Sequence, residues 1–98
     1  MRGRIKNTWI ASCKTYTQHN VNYLDPLTLF GRQLASLRKT RGWSQERLAL
    51  ESGLSRSYVG GVERGQRNIA LLNICRLAET LGLPPSDLLK FSAPEEAD

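Results

Sequence analysis

The side chains that most often carry out catalysis are few in this chain, and they are not spaced for it. Cys13, Cys75 and His19 are the only thiols and the only imidazole in 98 residues. Three such groups are too few for a four-ligand zinc site or a disulfide scaffold. His19 has no acid or nucleophile at a useful spacing, and no glycine-rich phosphate loop is present. The one adjacent carboxylate pair, Glu95-Glu96, stands in an acidic terminal stretch. These residues point away from an enzyme, and no metal or cofactor is expected. The chemistry on offer is electrostatic: fourteen Lys and Arg against nine Asp and Glu give a net charge of +5. That balance favours nucleic acid as the partner.

The charge is unevenly distributed. Residues 1–26 hold four basic residues and Asp25, residues 27–90 hold ten basic and five acidic residues, and the last eight hold three acids. The middle segment therefore keeps a surplus of +5 after both ends are set aside. Residues 1–24 show no sustained periodicity and read as a basic, flexible arm carrying Arg2, Arg4 and Lys6. Residues 25–91 read as one domain, and 92–98 as an acidic flexible tail. No apolar run approaches the roughly 20 residues of a membrane span. No signal-peptide core follows the basic N-terminus. The expected compartment is the cytoplasm.

The elements that must position this charge are helical. Leu27, Phe30, Leu34 and Leu37, with Ala35 beside them, follow the spacing of a buried helical stripe that ends at Gly42. Ser44 caps a second helix from Gln45, with Leu48 and Ala49 inward and Gly53 as its stop. Ser55 caps a third carrying Val59 and Val62, which ends near Gly65. A fourth runs from about Leu71 to Leu81, with Leu71, Ile74, Cys75, Ala78 and Leu81 assigned to its core face. A short fifth, Asp87–Phe91, follows Pro84-Pro85-Ser86. Short links between five helices make an all-α bundle.

The stretch Gln45–Arg64, QERLALESGLSRSYVGGVER, has the residues of two helices crossing steeply. Ala49 is small at the crossing, Gly53 suits the positive φ of a tight turn, and Leu54, Val59 and Val62 anchor the second of the pair. This stretch resembles the helix-turn-helix of the Cro/C1-type (XRE) family. The likeness runs from about Phe30 to Leu89 through RGWSQERLA, SYVGGVERGQRN and LAETLGLPPSDLL. Within the family it looks closest to the controller proteins of restriction–modification systems. It implies a lambda-repressor-like DNA-binding domain.

On a helical wheel of the third helix, Ser57, Gly60, Gly61 and Arg64 lie opposite Val59, with Arg56 and Tyr58 on the flanks. Arg56 can offer a two-pronged guanidinium to guanine O6 and N7, Ser57 can bond a base edge or a phosphate, and Tyr58 can stack on a thymine methyl or reach a phosphate. The alternatives are a solvated Arg56 and a Tyr58 that covers the rim of the core. Gly60 and Gly61 are expected to face outward and let the helix lie deep in the major groove, although each costs about 1 kcal/mol in a helix; the alternative is that they make room for a neighbouring helix. Gln45 resembles the family glutamine that holds a DNA phosphate, and Arg64, Arg67 and Asn68 are expected on the DNA backbone. Glu63 falls on the core side, where an unpaired carboxylate is costly. By resemblance, its partner is Arg38.

The resulting expectation is a sequence-specific transcription regulator that binds a palindromic double-stranded operator as a homodimer. No small-molecule effector is expected, and the controller-protein resemblance implies an autoregulator of a restriction–modification system. A phage-type repressor or antitoxin, and a protein-interaction module on the same fold, are the alternatives. The dimer contact is expected at Leu72, off the stripe of the fourth helix, with Leu83, Leu89 and Phe91 nearby.

Overall fold

The computed structural model describes residues 25–91; expectations for residues 1–24 and 92–98 lie outside the described residues. Five helices follow in order: α1 (Pro26–Thr40), α2 (Gln45–Ser52), α3 (Arg56–Glu63), α4 (Leu71–Leu81) and α5 (Pro85–Leu88). No strand occurs among the described residues. No helix among them is long and apolar enough to cross a membrane.

Local chemistry sets each boundary. Asp25 is buried and caps α1, accepting from the Leu27 amide at 3.1 Å and from the Thr28 hydroxyl at 3.3 Å. Pro26 follows at the first helical position, where its missing N–H costs nothing. Ser44 and Ser55 cap α2 and α3, accepting from the amides of Arg47 and Tyr58 at 3.0 Å each. Gly53, with φ of 81°, makes the turn between these two helices. The fifth helix begins two residues earlier than Asp87 and ends at Leu88, because Pro85 starts it.

The helices close around one core. Phe30 and Leu34 of α1, Leu48 and Ala49 of α2, and Val59 and Val62 of α3 meet Ile74, Leu77, Ala78 and Leu81 of α4 and Leu88 of α5. α1 packs on α3 and α5, and α2 packs on α3 and α4. Two side chains tie helix ends across the bundle: Arg41 donates to the Leu81 carbonyl at 2.6 Å, and Gln33 donates to the Asp87 carbonyl at 2.8 Å.

Three assignments of the sequence reading change here. Leu71 and Cys75 are not part of the core: Leu71, in the first turn of α4, is 69% exposed and Cys75 is a free, exposed thiol. Leu77, omitted from the stripe, is fully buried. Cys75 and Leu77 flank the Ile74–Ala78 seam on opposite sides, and the bulkier leucine side faces inward. Finally, Leu83 and Phe91 are partly buried rather than fully exposed. Both pack partly buried against the core, and Phe91 meets Phe30 edge-to-face with ring centres 6.5 Å apart.

Candidate nucleic-acid interface

The outward surface of α3 is built from α2 and the loop after α3 as much as from α3 itself. Its first turn is open. Arg56 and Ser57 are exposed, and Arg56 is paired with no side chain among the described residues. A guanidinium left free at the start of a capped helix keeps all five donors for a partner.

Tyr58 is committed differently. It is half-buried against the core, and its hydroxyl accepts from Asn73 Nδ2 of α4 at 3.1 Å. The Arg67 guanidinium lies 5.6 Å from the centre of its ring. Tyr58 therefore covers the core rim, and Asn73 holds its hydroxyl from α4. What this arrangement presents outward is Arg67, held over an aromatic face.

The glycine pair also differs from expectation. Gly60 and Gly61 are buried, not open. A Cβ at Gly60 would stand 3.1 Å from Nη1 of Arg64 and 3.4 Å from Oε1 of Gln45, and one at Gly61 would stand 2.9 Å from Cγ of Arg67. The missing side chains make room for three long polar side chains that cross the helix surface. Arg64 is further held by donating to Oε1 of Gln66 at 3.0 Å. Asn68 is exposed in the loop.

Behind this surface, Glu63 joins three segments. Arg38 grips it with two prongs, Nε to Oε2 at 2.7 Å and Nη2 to Oε1 at 2.9 Å, and its third nitrogen donates to the Trp43 carbonyl at 2.8 Å. Gln45 adds Nε2 to Oε1 at 2.8 Å. Both charged side chains are nearly buried, and no buried side-chain polar atom among the described residues lacks a partner. The hydrogen bond to Glu63 is the main reason the Arg38 guanidinium holds its proton more tightly than usual; burial opposes this and the carboxylate charge adds to it. An amide nitrogen carries two hydrogens. With one given to Glu63, the other has no acceptor among the described residues.

The sequence reading missed Trp43. It lies between two guanidiniums, with Arg41 at 4.5 Å and Arg47 at 4.7 Å from the ring centre. Arg47 also pairs with Glu51 at 3.0 Å. The signal was an aromatic residue two and four positions from arginines across the α1–α2 turn. No group of three or more His, Cys, Asp or Glu that could hold a metal occurs among the described residues.

Open donors at the first turn of a short capped helix, braced by a second helix through a tight glycine turn, form the geometry of a known fold. The sequence profile of the helix-turn-helix family matches residues 34–88. The chain belongs to the helix-turn-helix family. Among its helix-turn-helix relatives, the control protein C.BamHI of Bacillus amyloliquefaciens is 43% identical over 65 residues, covering 65% of this chain and 80% of the relative. The structure of the restriction–modification controller protein C.AhdI of Aeromonas hydrophila superposes with a TM-score of 0.62 at 58% identity, over 63% of this chain and 94% of that one. Another similar structure is that of the restriction–modification controller protein C.Esp1396I, solved as a tetramer in complex with its natural 35 base-pair operator. It matches at a TM-score of 0.57 and 26% identity, over 65% of this chain and 95% of that one.

Proposed function

We propose that this chain is a sequence-specific transcription regulator that binds a palindromic DNA operator as a homodimer, in the manner of a restriction–modification controller. The observation that carries this reading is the division of labour on α2 and α3. Arg56 and Ser57 stand free at the exposed start of α3, while Gln45 is held by Glu63 with one amide hydrogen left over. Base-edge contacts from Arg56 and Ser57 specify sequence; phosphate contacts from Gln45, Arg64, Arg67 and Asn68 fix the pose. Tyr58, Gly60 and Gly61 support that surface from below. In this reading the chain performs no catalytic step and needs no cofactor or small-molecule effector, and it works on the nucleoid in a bacterial cytoplasm. The operator complex of C.Esp1396I supports DNA as the partner.

Two copies are needed because one module of this size reads too few base pairs, and a two-fold pair on a palindrome doubles the site. Leu72 is 80% exposed and sits opposite the buried stripe of α4, with Leu71 beside it and Leu89 48% exposed. This is the surface assigned to the dimer. The arm of residues 1–24, with Arg2, Arg4 and Lys6, is assigned sequence-independent attraction to DNA.

The test is binding to duplex DNA across a salt series. Counterion release makes the logarithm of affinity fall linearly with the logarithm of salt concentration, with a slope of about −0.9 per phosphate neutralised. Affinity that ignores salt would favour the protein-interaction module.

A further inference from the structure

Gly31 lies in the middle of α1, where glycine is unfavourable for the helix, and it is buried. A Cβ there would stand 2.5 Å from the carbonyl oxygens of both Val62 and Glu63 and 2.8 Å from the Glu63 carbonyl carbon. Carbon meets carbonyl oxygen at roughly 3.3–3.6 Å, so even one methyl group is about 1 Å too close. These neighbours are backbone atoms at the end of α3, and the Val62 carbonyl already accepts from the Gly65 amide at 3.0 Å. They cannot rotate away as a side chain would.

Seven residues further on, about two turns along the same face of α1, Arg38 grips Glu63. α1 thus meets the last turn of α3 at two adjacent points, one by bare backbone approach and one by a charged fork. The first turn, with Arg56, lies at the other end of α3, seven residues or about 10 Å from Glu63. We propose that the Gly31–Arg38 face of α1 determines operator specificity by setting the height and tilt of α3, with Gly31 as a positioning residue that itself touches no DNA. This rests on the DNA-binding reading above. Gln45 is on α2 and Arg56 is on α3, so moving the end of α3 by about 1 Å changes the offset between phosphate contact and base contact. Hydrogen bonds that need donor–acceptor distances near 2.7–3.2 Å cannot absorb such a change at both sites. Phosphate contacts alone can be remade at any register.

The probes are a 30 base-pair duplex enriched from a random pool by the unaltered protein and a shuffled duplex of the same composition. Gly31→Ala is expected to lower the melting temperature, although alanine in an unhindered helix would raise it. Per folded molecule, it should bind the enriched duplex at least tenfold more weakly and the shuffled duplex within twofold of the unaltered protein. A purely structural role would leave the ratio of the two affinities unchanged once folded fraction is corrected for; that result, or a raised melting temperature, overturns the proposal. If Gly31→Ala does not fold, Arg38→Lys decides, since it loosens the second anchor without adding volume. A lost preference supports the proposal and a full preference sinks it. If the unaltered protein enriches no duplex, the DNA-binding reading itself fails, and the proposal with it.

Discussion

Gln45 and Glu63 are joined by a 2.8 Å hydrogen bond that ties the start of α2 to the end of α3. The same Glu63 oxygen accepts from Arg38 at 2.9 Å. One carboxylate therefore fixes the angle between the two helices and orients the side chain assigned to the DNA backbone. Such a network gives little net stability relative to an apolar core, but removing one member leaves a buried charge uncompensated.

Glu63→Gln should accordingly destabilise the fold by about 3 kcal/mol, because Arg38 stays charged and nearly buried. For a domain of this size, that corresponds to a melting temperature lower by on the order of 10 °C or more. The pH dependence follows from Arg38, whose pKa is raised in the fold. A raised folded-state pKa gives stabilisation fully present below the ordinary guanidinium range and lost only as pH climbs through the folded value. The Arg38 contribution should therefore stay level from about pH 6 to pH 10. Thermal melts of both proteins across that range check the size and the flatness.

Arg56→Ala tests the base contact. Arg56 is exposed and paired with no side chain among the described residues, so its loss should leave the melting temperature within the small range of surface substitutions. Affinity for the enriched operator duplex should fall by about 1–3 kcal/mol, and affinity for shuffled DNA much less. Equal losses on both, measured by fluorescence anisotropy, would make Arg56 a phosphate contact.

Ser55→Ala separates helix stability from recognition. The Ser55 hydroxyl oxygen accepts from the Tyr58 amide at 3.0 Å. Removing such a cap typically costs about 1 kcal/mol, or a fall of roughly 4–8 °C in melting temperature. Operator preference per folded molecule should be retained. Calorimetry and binding to the two duplexes check the two halves of this expectation.

The local signals were legible because they act through near neighbours. Ser44, Ser55 and Gly53 mark the α2–α3 unit in the sequence, and the structure places a cap or a left-handed turn at each. What the sequence hid depends on distant partners. On a wheel, Gly60 and Gly61 point away from Val59, and nothing local says that Gln45, Arg64 and Arg67 will cover them. Gly31 reads as an ordinary weakness in a helix until the end of α3 is placed against it. Leu77 lost its place to Cys75 because the helical period alone admits either flank of a seam. Packing against α2 and α5 decides which side is inside.

Leu72→Arg tests the dimer surface. Leu72 is 80% exposed on the face of α4 opposite its buried stripe, and Leu71, in the same first turn, is 69% exposed. Neither side chain contributes to the core, so an arginine at position 72 should leave the monomer folded, with a melting temperature close to that of a dilute unaltered sample. Arg76 and Glu79 are exposed on the same side of α4. In a symmetric contact each residue meets a surface made of its own copy, so an arginine near the two-fold axis faces a second arginine and repels it as well as failing to pack. Sedimentation velocity should show the unaltered protein as a dimer and the variant as a monomer. Operator binding should weaken and turn steeply concentration-dependent, because two copies must then be gathered on DNA without their mutual contact. Leu83 and Phe91 are already engaged with the core, so an unchanged dimer in the variant would move the interface to the remaining exposed leucine on the α5 side, Leu89.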